Sequence, residues 1–374
     1  MAVALLTACR KDEVIIPAEY EIIHDTPWPG SKVSGLYLVN EGNMGSNKCT
    51  LDYLDFRSGL YSRNIYAERN PDAVKELGDV GNDIGIYGSK LYVVVNCSHK
   101  VEVLDAASGR RIGQIDSPNC RYIRFHNGEA YVSSYVGPVQ VDPNARPGAV
   151  YRVDTLSLSV TATVTVGYQP EEMEIVDGYL YVANSGGYRV PNYDNTVSVV
   201  RLSDFTEIER IPVGINLHRL KKDRYDRLWV SSRGNKADIA SRLYVIERAH
   251  GSAVMNVTDT LPTPCSNMAI HGDSLFYYAT EFDNLKGANV NRYGIVDLRT
   301  KRIVSDSFIT DGTEAAITMP YGIAAHPERG DIYITDAKNY VSSGYLHCYD
   351  RHGRLKWSVR TGDIPSAMTF RVEL

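Results

Sequence analysis

No apolar run in the sequence approaches bilayer length: the stretch that opens it, MAVALLTAC, is eight largely apolar residues and a cysteine, far below the roughly 20 that span a membrane as a helix. Neither sign of charge is in excess. With 40 Lys+Arg against 45 Asp+Glu, a formal net charge of −5 and no basic run, a nucleic-acid backbone has no electrostatic footprint to meet, so nucleic acid is excluded as a partner. Cysteines are few, six in all, and none stands in a CxxC or Cys/His spacing, so no zinc site is expected. There is no GxSxG elbow, HExxH, phosphate-cradling glycine loop or GxGxxG fingerprint, and no adjacent cysteine pair of the kind a quinone-cofactor oxidoreductase carries. Neither a cofactor nor a resident metal is expected. Helical periodicity is nearly absent too, and NPDAVKEL at 70–77 is the one short helix candidate.

What the chain does have is tyrosine, 26 against 7 Phe and 3 Trp, together with 30 Gly and 16 Pro, a mixture that favours strands and turns. At 374 residues it could hold two or three ordinary domains, but it repeats. A strand opening on Leu-Tyr or a near-equivalent recurs seven times, with its aromatic residue at Tyr37, Tyr92, Tyr131, Tyr181, Trp229, Phe276 and Tyr333, at intervals of 39 to 57 residues. That is the period of a four-stranded propeller blade. Each copy carries a short apolar strand a before this strand b, an alternating strand c after it (VEVLD, VYRVD, VSVVRL), and a strand d such as GRRIGQI. The first copy lacks its strand a, and the tail IPSAMTF at 364–370 has the character of one with no strand b behind it. The fold class is therefore all-β: a seven-bladed propeller over residues 34–374, closed by a C-terminal strand in the first blade, which leaves no open sheet edge around the ring.

These LYVVN and V-x-V-x-D strands, joined by turns reading SGRRIGQIDSP and TEIERIPVGINL, resemble the YncE-like, surface-layer-type seven-bladed propellers. At the N-terminus, Leu6-Thr7-Ala8-Cys9 is similar to the lipobox of a bacterial lipoprotein, although no basic n-region precedes it, and Arg10-Lys11-Asp12-Glu13 resembles the charged tag behind the lipidated cysteine of some surface lipoproteins. Residues 1–9 are then a truncated signal ending in a lipidated Cys9, and 10–33 a tether leading to the propeller. Taken together, the chain resembles the exported BtuG-type propeller lipoproteins of gut anaerobes. That resemblance implies a protein held at the outer membrane or cell surface by a lipid anchor alone, capturing a corrinoid such as vitamin B12 for a TonB-dependent transporter.

In a propeller the b–c loops and the d–a turns emerge on one face around the central channel, and that face is the default site. On its b–c loops Tyr135, Tyr188, Tyr193, Phe282 and Tyr340 offer flat apolar faces, while Asn184, Arg189, Arg233, Asp283 and Asn339 offer directional hydrogen bonds. From the d–a turns near the channel mouth, His218 and Arg121 are the sharper candidates. Adjacent Glu171 and Glu172 should face opposite sides of a strand, so they do not make an acid/base pair. The mixture suits binding rather than catalysis. The alternatives are a calcium-dependent propeller hydrolase or lactonase, with Glu41, Asn96, Asn184, Glu281 and Asp336 as oxygen ligands, or a non-catalytic adhesion propeller. Cys97 with Cys120 is the disulfide to test first, with buried free thiols as the other option.

Overall fold

The computed structural model describes residues 17–25, 30–74, 76–248, 255–283 and 287–373, so the expected lipidation site Cys9 lies outside the described residues. Seven antiparallel sheets form the propeller, and in each the strands follow one another from the channel outward in the order a to d. The aromatic residue of the repeat explains how they pack. Tyr37, Tyr92, Tyr131, Trp229 and Tyr333 are almost wholly buried in the clusters that join one blade to the next. Strand b is sandwiched between neighbouring blades, so Val33–Asn40 and Leu228–Ser232 are buried along their whole length, whereas an outer strand such as Thr206–Pro212 is largely exposed.

The ring closes as expected, slightly later in the chain. Pro365–Val372 pairs antiparallel with Val33–Asn40 as the innermost strand of blade 1, with Phe370 opposite Leu36. That blade also has a fifth strand. Glu19–Ile22, inside the segment read as a tether, pairs with Leu60–Arg63 on its outer edge, and Asp25 then meets Lys356 (2.9 Å) and Arg329 (3.2 Å) of blade 7. The propeller sheet thus begins before residue 34.

One local expectation fails, and of the two options for the cysteines the free thiols hold. The helix is Ile65–Arg69 rather than 70–77, because Pro71 pushes the preceding Asn70 out of the helical region to φ −129°, ψ 61°. Cys97 and Cys120 are not bridged: all five described cysteines are free, and the Cys120 thiol donates instead to the Lys100 carbonyl (3.2 Å).

One repeated device shapes the channel mouth. In five blades the residue before the innermost strand is left-handed (Val80, Asn119, Gln169, Asn216 and Ile364, φ 43° to 62°), and in six blades the pairing of the innermost strand with strand b, or of strand b with the closing strand, slips by a bulge nearby. Such a bend and bulge re-aim side chains away from simple alternation.

Candidate functional site

The carbonyl of each left-handed residue accepts a backbone N–H from the loop that follows strand b in its own blade. Glu41 N–H donates to Ile364 (2.8 Å), Asn96 to Val80 (2.8 Å), Tyr135 to Asn119 (3.2 Å), Ser185 to Gln169 (3.2 Å) and Arg233 to Asn216 (2.9 Å). The first residue after strand b is thereby held at the rim of the channel in blades 1 to 5. The side chains of the left-handed residues hold the same loops: Asn216 donates to the Gly234 carbonyl (3.0 Å), and Gln169 accepts the Tyr188 N–H (2.6 Å).

Three of these rim side chains converge on one carboxylate. The Tyr135 hydroxyl (2.6 Å), the Arg233 guanidinium (3.1 Å) and, more distantly, the Ser185 hydroxyl (3.5 Å) all point at Glu171 Oε1. Arg121 takes Oε2 through Nη2 and Nε at 3.1 and 3.2 Å, and lies over the Tyr135 ring, 4.9 Å from its centroid. Burial would raise the pKa of Glu171, but Arg121 and Arg233 hold it below the ordinary carboxylate value. Tyr188 packs edge-on to Tyr135 with centroids 6.2 Å apart and presents its other side to solvent.

Deeper in the channel, Tyr122 of blade 3 meets blade 5, where its hydroxyl accepts from Arg219 (3.1 Å) and shares a hydrogen bond with His218 Nε2 (3.2 Å). Burial and then Arg233, Arg219, Arg121 and Lys221 push the His218 imidazole well below its usual pKa, which keeps it neutral. Glu172 is paired separately with Arg124 (2.8 Å) and Lys221 (2.5 Å), so the two adjacent glutamates serve different ion clusters. Across the mouth, the Tyr321 hydroxyl donates to Glu41 (2.7 Å) and Tyr340 packs edge-on to Tyr321 (5.8 Å). Burial raises the pKa of Glu41 despite that donor and the nearby Arg121 and Arg219.

The expected site residues therefore separate into two groups. Tyr135, Tyr188, His218, Arg233 and Tyr340 line the mouth. Asn184 does not: one residue before the rim position, it turns into blade 4 and donates to Thr196 (3.1 Å) and Ser198 (2.9 Å). Asp336 makes the same error of one residue and caps the turn at Thr318 (3.1 Å) and Met319 (2.8 Å). Arg189 lies over Tyr168 and donates to the Asn192 carbonyl (2.7 Å), folding onto its own loop beside partly exposed Tyr193. Phe282, 61% exposed, and Asp283 lie in a strand and not in a b–c loop, because residues 274–297 are mostly a long hairpin of Ser274–Asp283 paired with Ala288–Asp297. The proposed oxygen ligands scatter with them, and no three His, Cys, Asp or Glu side chains are grouped to hold a metal ion among the described residues.

Sequence reasoning missed Tyr122 and Arg219, and saw Glu171 only as half of a rejected pair. The signal that could have found them is the run of charged residues on three successive innermost strands, CRYIRFH, PEEMEIV and LHRLKK. A cavity of about 480 Å³ opens on the opposite face, between Asp177, Tyr225, Arg227, Glu247, Arg248 and Arg299. Its charges are spent on one another and on the blades, as in Arg248–Asp177 (2.5 Å) and Arg227–Asp223 (2.8 Å). The mouth, with its aromatic faces and spare donors, is the stronger candidate.

Solved structures similar to this chain share its fold. They include the hydrazine synthase of Kuenenia stuttgartiensis (16% identity, 77% of this chain and 88% of that one, TM-score 0.61). A quinonprotein alcohol dehydrogenase-like protein of Bacteroides thetaiotaomicron matches at 12% identity, 91% and 79% coverage and a TM-score of 0.60. A proposed 6-phosphogluconolactonase of Bacteroides fragilis matches at 11%, 92% and 100%, and 0.60. At such identities the likeness shows the propeller and not an activity. No curated protein matches the chain. The family profile that does match runs over residues 34–361, from strand b of the first blade to strand d of the last, and on that span the chain belongs to the DUF5074 family, a domain of unknown function.

Proposed function

We propose that this propeller binds rather than transforms, capturing a small amphipathic ligand at the channel mouth. The observation that carries this reading is the convergence of Tyr135, Arg121 and Arg233 on Glu171 beneath half-exposed Tyr188: a rigid surface of aromatic and guanidinium faces whose carboxylate is already committed to two cations. A carboxylate held so firmly ionised is a counter-charge, poorly suited to moving a proton near neutral pH. Aromatic faces with directional donors fit a wide ring bearing amide groups, and the family resemblance makes a corrinoid the first ligand to test. Calorimetric titration with cyanocobalamin should give a single binding event. Tyr188→Ala and Arg233→Ala should each weaken it by about 1 to 2 kcal/mol if they are interface anchors. Absence of heat retires the corrinoid, and turnover of a lactone panel that is lost in Glu41→Gln moves the protein to the enzyme class.

We propose further, from the lipobox-like Leu6-Thr7-Ala8-Cys9, that the protein is held at the cell surface through Cys9 and passes its ligand to a TonB-dependent transporter. A lipid anchor of several acyl chains exceeds the single chain that binds membranes only marginally, so Cys9→Ala should move the protein from the membrane fraction to the soluble one. Continued sedimentation with membranes would point to another attachment, and protease shaving of intact cells reports which side of the outer membrane displays it.

A further inference from the structure

We propose that the floor of the channel mouth is a subsite for an oxyanion, the carboxylate or phosphate group of a bound small molecule, received by Arg219. This rests on the reading of the mouth as a ligand site and names the chemistry of one part of that ligand. A guanidinium has five N–H donors. Arg219, on the innermost strand Leu217–Lys222, uses one of them across the channel on the neutral hydroxyl of Tyr122, while its Nε is buried without an acceptor. Among the described residues it makes no ion pair. Having accepted from Arg219, the Tyr122 hydroxyl can direct its own proton to His218 Nε2.

The surroundings offset this charge only from a distance, through Glu172, and among the described residues no acid hydrogen-bonds to it. Arg121 and Arg233, above it, share the single carboxylate of Glu171. The other acids in reach are already engaged, Glu172 by Arg124 and Lys221, and Glu41 by the Tyr321 hydroxyl. Leaving donors of a partly buried cation unused is costly, and charge-assisted hydrogen bonds to an oxyanion are the interaction that would satisfy them. A ligand entering between the tyrosines would meet these donors with its most negative group leading.

The test is calorimetry of the full chain with inorganic phosphate and, separately, with succinate, against chloride at matched ionic strength. At least one anion should bind at a single site, and the tighter one names the group. Arg219→Gln should weaken binding by about tenfold or more, and Arg219→Lys by less, because the charge remains while the fork of donors is lost. If Arg219→Gln does not fold, the wild-type protein still decides: phosphate or succinate should raise its Tm beyond chloride. No binding and no such rise, or equal affinity in a folded Arg219→Gln, overturns the subsite. Should cyanocobalamin bind while neither anion binds or competes with it, the subsite fails and the ligand face stands. Should an anion bind through Arg219 and cyanocobalamin not bind, the corrinoid fails and the subsite stands.

Discussion

A chain that stops at Asp363 should lose cooperative melting and aggregate. The missing segment is the innermost strand of blade 1, and without it Val33–Asn40 presents an unpaired ladder edge at the centre of the ring. More than the ladder goes. Phe370 packs against Phe56, His326 and Tyr333 at the joint of blades 1 and 7, Ser366 donates to the carbonyls of Val39 and Gly81 (both 3.2 Å), and the Thr335 hydroxyl donates to Pro365 O (2.6 Å). A domain is stable by only about 5 to 15 kcal/mol, and removing a whole wall of a core around Leu36, Leu38 and Tyr333 leaves no comparable reserve. Thermal unfolding followed by circular dichroism checks this, and a peptide of residues 364–374 added in trans should restore part of the transition. A truncated chain that melts where the full one does would refute closure by this strand.

The second large effect is expected from Glu172→Gln. This carboxylate is buried and accepts from Arg124 (2.8 Å), Lys221 (2.5 Å) and the Leu220 N–H (2.9 Å), so neutralising it strands Lys221 in the channel wall and leaves Arg124 only its longer contacts to Asp83 (3.3 Å) and Glu174 (3.4 Å). Removing one partner of such a cluster costs about 3 kcal/mol or more. The effect should also depend on pH in a defined direction. Burial opposes ionisation, but Lys221, Arg124 and Arg219 pull the pKa from 4.5 to about 2 in the folded protein. A group whose folded pKa is depressed contributes stability that is fully present above its unfolded pKa and disappears as pH falls through the folded one. The deficit of the variant relative to wild type should therefore be full above about pH 5 and shrink towards about pH 2, where the wild-type carboxyl is protonated as well. Urea melts of both proteins across that range measure it. A deficit that stays constant down to about pH 3 would mean the loss comes from packing or hydrogen bonding and not from charge.

Two of the misplaced residues, Asn184 and Asp336, share one cause, a register of one residue. Asn184 and Asp336 were selected because they end a strand, yet the positions that reach the channel are the next ones, Glu41, Asn96, Tyr135, Ser185 and Arg233. Strand alternation makes a one-residue offset a change of face, and here the offset is set by a left-handed residue and a bulge whose residue types vary from Asn to Val and Ile. Nothing local in DIPSAMTF marks Ile364 as left-handed; its carbonyl is held in place by Glu41, on the far side of the chain's numbering.

Blade number, strand order and the closing strand could be read from the sequence because each repeat carries the same apolar Leu-Tyr strand b, buried on both faces, beside an alternating strand c, and seven copies make the pattern unmistakable. The channel could not. Tyr122 and Arg219 are 97 residues apart and meet only because the curvature of the ring brings the innermost strands of blades 3 and 5, with one blade between them, onto one narrow passage. Burial periodicity is a property of neighbours along the chain and across one sheet, whereas the ion clusters of the channel depend on where seven sheets place their innermost edges, and that placement exists only once the ring is shut.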